Sequence, residues 1–289
     1  MKKTCKANLP AMIFLFALLI LWQAGAMGLD AAYILPSPTQ ILAKLWELRD
    51  VLFTVHLPAT MLVTAIGLAI LLVVALPAAY VLSRYRFRGR KLINVAFMGG
   101  LFINVNYIVV PIFLMLVDGN KGLGSLMKLL HVEKGSPLYN ILDGFLLNNI
   151  FILALIYAST ALPFTIYLLS SYFQTLPKAY EEAAYVDGSG YFNTMVKIII
   201  PMAKPSIITV ILFNFLSFWN EYIIAMTLMT GDSKTLPVGL MNLMKAQNAA
   251  AQYGQMYAGL VIVMLPTLIL YILVQKKLTQ GMTVGGLKG

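Results

Sequence analysis

Four long stretches without a charged side chain are the feature that most limits how this chain can fold. They run over residues Val51–Ser83, Leu92–Val117, Gly144–Pro177 and Ala246–Gln275. Each is longer than the roughly 20 apolar residues that cross the hydrocarbon core of a bilayer, about 30 Å thick. Of the 289 residues, 60% are hydrophobic and 11% are charged, whereas soluble domains carry about 25% charged residues. We therefore predict an all-α membrane protein.

Six apolar runs are predicted to cross the membrane. The first ends near Ala24-Gly25-Ala26, which resembles a cleavage site, so a cleaved signal peptide is the alternative to a retained helix. We favour the retained helix, because five further spans follow. The six predicted spans are Leu9 to Leu29, Leu52 to Leu82, Leu92 to Val117, Phe145 to Phe173, Ser206 to Thr230 and Tyr257 to Val274.

The charges between the spans predict the orientation of the chain. The loop Arg84–Lys91 holds five cations in eight residues, and an excess of Lys and Arg marks the cytoplasmic side of a membrane protein. Both termini are then cytoplasmic, with fourteen Lys or Arg and three acids on that side and seven of each outside. Membrane insertion thus explains the net charge of +10, which leaves no support for a nucleic-acid partner. The predicted location is the cytoplasmic membrane.

The loop between the fourth and fifth spans has a helical pattern of its own. Pro177 can open a helix and Gly188 can close it in the left-handed conformation. Ala179, Ala183 and Val186 would share one small apolar face. Such a face suits a groove on a partner protein. The alternative is a helix lying on lipid headgroups, which would favour Lys and Arg on its polar face rather than the acids found here.

The same loop carries a recognisable motif. Glu182-Ala183-Ala184, then Gly188 and Ile198, and finally Ile200-Pro201 resemble the EAA loop of permease subunits of bacterial ATP-binding-cassette (ABC) importers. Further segments resemble the sugar-importer branch, and in it the permease similar to the shorter maltose subunit. These segments are Ala78–Phe87, Trp219–Tyr222, Leu236–Leu240 and Gly281–Gly289. By contrast, Tyr33–Leu42 looks more like sulfonate and nitrate importers, which leaves the substrate class open.

The resemblance implies a type I ABC importer permease fold with a cytoplasmic coupling helix that seats in an ATPase subunit. It divides the chain into residues 1–50, a permease core 51–276 with the coupling loop 176–204, and a tail 277–289. The implied partners are a second permease, an ATPase dimer that binds the ATP, and an extracytoplasmic solute-binding protein. The residues implied to couple to the ATPase are Glu182, Ala183, Ala184, Asp187, Gly188 and Pro201, with tail contacts at Gly285 and Gly286. For Asp187 a helix cap is the alternative, and for the tail a frayed terminus.

Glu221 is the only acidic residue inside a predicted span, where such residues usually face a cavity or a partner. With Trp219, Asn220 and Tyr222 it offers rings that stack on a sugar and groups that bond its hydroxyls. These four residues are the candidate substrate pathway. The alternative is that Glu221 pairs with a neighbouring helix near the outer interface, with Trp219 and Tyr222 as an aromatic belt.

No catalytic or metal-binding constellation is evident, and the chain lacks a phosphate-binding loop. We therefore predict a non-enzymatic permease subunit for a carbohydrate, with no cofactor or metal of its own. A small-anion importer is one alternative, although no span contains Arg or Lys to bind an anion. An ion-coupled secondary transporter is the other, although such proteins usually carry more ionisable groups in their spans.

Overall fold

The computed structural model describes residues 9–29, 36–231, 235–246, 257, 259–261, 263–269 and 271–272. All regular secondary structure in these ranges is helical, which confirms the predicted all-α class. Two compact units form, one from within Met1–Pro58 and Leu236–Pro266, the other from within Ala59–Thr235 and Thr267–Gly289. The predicted divisions at residues 50 and 276 stay predictions, and the tail 277–289 lies outside the described residues.

The helices follow one another with short connections. Two π-helical stretches, Leu52–His56 and Met195–Ile199, join α2 to α3 and α9 to α10. In chain order the helices are α1 (Leu9–Leu29), α2 (Pro38–Val51), α3 (Leu57–Arg84), α4 (Arg90–Gly100), α5 (Val105–Leu129), α6 (Pro137–Leu142), α7 (Ile150–Thr175), α8 (Ala179–Val186), α9 (Tyr191–Thr194), α10 (Ile200–Met202), α11 (Lys204–Asn220), α12 (Ile223–Leu228) and α13 (Leu236–Ala246).

The unit that contains the N-terminus begins with two helices that pack together. Gln23 Nε2 of α1 donates a hydrogen bond of 3.0 Å to Thr39 Oγ1 of α2. At the start of α2, Ser37 N donates to Gln40 Oε1 (2.9 Å) and Gln40 N donates to Ser37 Oγ (3.3 Å). This reciprocal capping box fixes where α2 begins. Helix α2 thus lies between the first two predicted spans, Leu9 to Leu29 and Leu52 to Leu82.

The core of the larger unit is formed by α3, α7 and α11. Leu71, Ala75 and Ala79 repeat every four residues on α3 and are fully buried. Helix α7 packs against α4 and α11. On α11, Phe218 lies close to Gly67 of α3, where an added methyl group would be 3.2 Å from the Phe218 ring. Small residues on α3 thus let its neighbours approach closely.

Three helices of the described residues are long and apolar enough to cross a membrane. They are Phe53–Arg84, Val105–Leu129 and Ile150–Thr175. A bent pair, Tyr191–Met202 with Lys204–Asn220, turns by 77° and brings the number to four if the pair is one span. Shorter apolar helical stretches of 10–17 residues are Phe16–Gly28, which lies within α1, and Gly259–Ile269. The total of six spans stays a prediction.

The predicted third span, Leu92 to Val117, is wrong in its bounds. The structure has α4 up to Gly100, four residues outside any helix, and then α5. Asn104 ends the break, because its side chain accepts a hydrogen bond of 2.9 Å from the N–H of Asn106 and so caps α5. Asp118 and Lys121, which follow this predicted span in the sequence, are consequently part of α5 and pair at 2.9 Å.

The predicted fifth span, Ser206 to Thr230, is interrupted in the structure. Helix α11 ends at Asn220, and α12 begins at Ile223. Glu221 stands at the break with extended backbone dihedrals (φ −72°, ψ 127°). It is therefore not inside a continuous helix, as the sequence suggested, but between two.

Candidate functional site

A cavity of about 420 Å³ opens among α5, α7, α11 and α12 of the larger unit. In the described part of the chain, aromatic rings, amides, hydroxyls and one carboxylate line it, and none of these lining residues is Lys or Arg. The lining residues are Val105, Asn106, Tyr157, Thr160, Ala161, Phe164, Phe213, Asn214, Ser217, Phe218, Glu221 and Ile224.

Both helix breaks border this cavity. Val105 and Asn106 follow the first break, while Glu221 occupies the second. Non-helical backbone at membrane depth is tolerated where protein buries it or where it lines a cavity, and broken helices of this kind form the binding sites of many transporters. The breaks and the cavity therefore belong to one site.

Glu221 stabilises the second break through three hydrogen bonds. Its Oε2 accepts a hydrogen bond of 2.7 Å from the Tyr157 hydroxyl of α7 and one of 3.1 Å from the N–H of Ala225. Its Oε1 accepts one of 2.8 Å from the N–H of Ile224. The carboxylate thus caps the start of α12 and ties it to α7, where an anion is favoured by the helix dipole. Glu221 lines the cavity and also pairs with a neighbouring helix, and its part in a substrate pathway stays a prediction.

The other three candidate pathway residues lie off the cavity. Trp219 is buried and stacks on Phe215, with ring centroids 5.6 Å apart and an interplanar angle of 18°. Asn220 donates back to the carbonyl of Leu216 at 2.8 Å, and Tyr222 is partly exposed. None of the three is among the lining residues. Their part in a pathway stays a prediction.

The sequence did carry a signal for the polar lining that was missed. Asn214 and Ser217 lie three residues apart on the inner face of α11, and Glu221 follows four residues later, just beyond the end of that helix. Asn214 is buried and donates hydrogen bonds to Thr165 Oγ1 (3.0 Å) and to the carbonyl of Val210 (2.8 Å). A search for polar residues in helical register would have found Asn214 and Ser217.

The predicted coupling helix is present as α8, and its closure is as predicted. Gly188 has φ +79°, in the left-handed region. The N–H of Ser189 donates to the carbonyl of Ala184 (2.9 Å), as in a Schellman motif. Asp187 is the last residue before this turn, and its N–H donates to the carbonyl of Ala183.

The two faces of α8 differ in exposure. Glu182, Ala183, Asp187 and Gly188 are exposed, and so is Pro201 in α10. Ala184 is buried against the chain itself because it lies one turn after Glu181 on the inward face. Five of the six residues expected to meet an ATPase are thus open to a partner, and the side chain of Ala184 is not.

Most of the chain matches a known family. Residues 75–284 match the family model described as the binding-protein-dependent transport system inner membrane component. The chain belongs to this family. As a member, it is a multi-pass inner membrane component of a transport system. The match begins close to Ala78, where the resemblance in the sequence also begins.

Curated relatives fall in the same class. The diacetylchitobiose uptake system permease protein NgcG of Streptomyces coelicolor is 32% identical over 220 residues, which cover 75% of this chain and 65% of that protein. The chain therefore spans just under two thirds of the length of NgcG. The trehalose/maltose transport system permease protein MalG of Thermococcus litoralis is 30% identical over 214 residues, which cover 73% of this chain and 67% of that protein.

One solved structure is similar to almost the whole chain, including residues before the family match. It is the crystal structure of a bacterial ABC transporter involved in the import of the acidic polysaccharide alginate. One of its chains is 26% identical, with a TM-score of 0.63, and the match covers 95% of both chains. The type I importer permease fold is thereby confirmed.

Two further predictions concern the tail and metal binding. Gly285 and Gly286 lie outside the described residues. The described part contains no group of three or more His, Cys, Asp or Glu that could hold a metal ion.

Proposed function

We propose that the chain is a permease subunit of an ABC importer that moves a carbohydrate across the cytoplasmic membrane. The observation that carries the proposal is the cavity at two helix breaks in a chain of this family. Phe164, Phe213 and Phe218 offer ring faces, and Asn106 and Ser217 offer hydrogen-bonding groups. Sugars need both, because their ring faces are apolar and their hydroxyls are polar. The relatives named for diacetylchitobiose and for trehalose/maltose support a sugar.

The charges around the cavity favour a neutral sugar over a small anion. Among the described lining residues the one charged side chain is that of Glu221, which would repel an anion, and there is no cation to bind one. Hydrolysis of ATP on separate subunits would drive transport. The proposed partners are an ATPase dimer, a second permease that completes a heterodimer, and an extracytoplasmic solute-binding protein. Both termini and α8 would be cytoplasmic, with the tail near Gly285 and Gly286 approaching the ATPase.

Replacing Glu182 with lysine tests the coupling role. Glu182 is exposed in the first turn of α8, where a carboxylate can meet a basic or hydrogen-bonding group of the ATPase. We expect the ATPase recovered with the tagged wild-type chain to fall roughly tenfold in Glu182→Lys, the effect of about 1.4 kcal/mol. Quantitative mass spectrometry of complexes from gently solubilised membranes measures this. Purification of the wild-type chain with no ATPase at all would refute the importer.

Replacing Ser217 with alanine tests the cavity. Loss of one hydrogen bond to a sugar hydroxyl, about 1 kcal/mol, should raise the KM for carbohydrate uptake roughly fivefold. Uptake of labelled maltose, trehalose and diacetylchitobiose into proteoliposomes of the complex measures KM. Ser159→Ala is the matched control, since Ser159 is outside the lining and donates to its own helix at Ile156 (2.8 Å). Equal KM values in the two variants would exclude Ser217 from the sugar site.

A further inference from the structure

Helix α8 carries two adjacent glutamates in different environments. Glu182 is exposed, whereas the side chain of Glu181 is only 9% exposed. Neighbouring residues on an α-helix point about 100° apart, so the two carboxylates lie in different surroundings. The coupling motif contains Glu182 alone. A buried carboxylate is costly unless it is paired, and Glu181 therefore needs its own explanation.

Arg84 is the oppositely charged partner of Glu181. Its Nε lies 3.2 Å from Glu181 Oε1, and the Arg84 side chain is only 5% exposed. The contact is an ion pair without the alignment of a hydrogen bond. Through Nη2, Arg84 also donates to the carbonyl of Leu176 at 2.8 Å. Because Arg84 ends α3 and Leu176 directly follows α7, one guanidinium holds the ends of α3, α7 and α8 together.

A second attachment lies one turn further along α8. Tyr85, next to Arg84, and Tyr185, four residues after Glu181, have hydroxyls 2.9 Å apart. The Tyr191 ring makes T-shaped contacts with both rings, at centroid distances of 5.6 Å and 5.3 Å. Burial, followed by the hydrogen bond with Tyr85, raises the pKa of Tyr185 to about 12, so its hydroxyl stays protonated. Two points of contact prevent α8 from pivoting freely on α3.

Helix α3 leads from this attachment to the cavity. Gly67 is about 17 residues before Arg84, or about 25 Å along a helix that rises 1.5 Å per residue. At Gly67 the helix is in close contact with Phe218, which lines the cavity. A displacement of α8 would therefore reach the cavity wall through a single packed helix.

We propose that Glu181 is a positioning residue that ties the coupling helix to α3 through Arg84, so that movement of α8 moves the cavity wall. The inference rests on the proposed function, in which an ATPase moves α8. It separates the two glutamates by role. Glu182 meets the partner, and Glu181 transmits the partner's motion into the membrane.

The test measures the docking of the ATPase separately from the transmission of its motion to the cavity, and it needs no sugar. Cys5, the single cysteine, is replaced with serine, and Ser217→Cys places a thiol in the cavity. The probe is a membrane-impermeant maleimide, applied to the intact complex with and without ATP plus vanadate. With Glu181 present, we expect trapped nucleotide to change the labelling rate roughly fivefold or more. In Glu181→Gln we expect less than a roughly twofold change, while the recovery of ATPase equals that of the wild type.

Further variants make the outcome decisive. Arg84→Gln with Glu181→Gln should respond no worse than Arg84→Gln alone, because the pair acts as one unit. Tyr185→Phe removes only the hydroxyl from a partly exposed ring, so it tests the attachment even if Glu181→Gln fails to accumulate. A wild-type nucleotide response in Glu181→Gln overturns the inference. If Glu181→Gln does not accumulate, a wild-type response in Tyr185→Phe overturns it instead. Loss of the ATPase in Glu181→Gln also overturns it, since Glu181 would then be a docking residue. If the complex with Glu181 intact lacks both ATPase and nucleotide response, the proposed function itself fails.

Discussion

Replacement of Gly188 by proline is expected to abolish ATP-driven uptake while the protein still accumulates in the membrane. Gly188 has φ +79°, whereas a proline ring fixes φ near −65°. Proline would also remove the N–H that donates to the carbonyl of Tyr185 at 3.0 Å. The end of α8 would have to rebuild, which moves Glu182 from its docking position. The membrane helices should be unaffected, because Gly188 is exposed and nothing lies within 4 Å of a Cβ built on it.

Asparagine at the same position is the matched control. Nothing lies within 4 Å of a Cβ built on Gly188, so a side chain fits and only backbone strain matters. Asparagine visits the left-handed region, whereas other side chains lose about 1–2 kcal/mol there. Gly188→Asn should thus keep most of the uptake, Gly188→Ala should keep less, and Gly188→Pro none. Uptake by proteoliposomes and immunoblots of membranes measure the two effects. Equal losses in the asparagine and proline variants would show that the turn conformation does not matter.

The sequence was informative where structure depends on neighbouring residues. Pro177 and Gly188 bracket α8 because both act on the backbone locally, through a missing N–H and a permitted left-handed conformation. The charge-free runs likewise identified the helices Phe53–Arg84 and Ile150–Thr175. Hydropathy reports the cost of exposing a segment to lipid or water, which the residues of that segment set by themselves.

The helix breaks could not be found in this way. Residues 101–104 are as apolar as their surroundings except for Asn104, and a hydropathy window passes over one cap. At Glu221 the break depends on a hydroxyl of Tyr157, 64 residues away in the chain. Arg84 and Glu181 are separated even further. Contacts of this range belong to tertiary packing, so the sequence indicated the polar residues without indicating their partners.

Removal of the Glu221 carboxylate should destabilise the protein more than any other single change in the cavity. In Glu221→Ala the Tyr157 hydroxyl and the N–H groups of Ile224 and Ala225 lose their acceptor. All three residues are almost fully buried, and each unsatisfied buried donor costs about 1–3 kcal/mol. The loss is therefore on the order of 3 kcal/mol or more, a large part of the stability of a typical domain. Thermal unfolding of the purified complex should show a lower Tm, accompanied by loss of uptake.

Two milder variants separate this structural role from proton coupling. Tyr157→Phe removes one donor and leaves the Glu221 carboxylate bonded to the start of α12. We therefore expect the free energy of unfolding to fall by about 1 kcal/mol. Glu221→Gln keeps one acceptor oxygen. Its Tm and its uptake should therefore lie between those of Tyr157→Phe and those of Glu221→Ala. In an ion-coupled transporter the order would differ, because glutamine cannot exchange a proton. Glu221→Gln would then lose all uptake, well beyond what its lower Tm explains, and wild-type uptake would follow a proton gradient without ATP. Graded losses of Tm and uptake, with ATP still required, would instead show that Glu221 acts by holding the broken helix against α7.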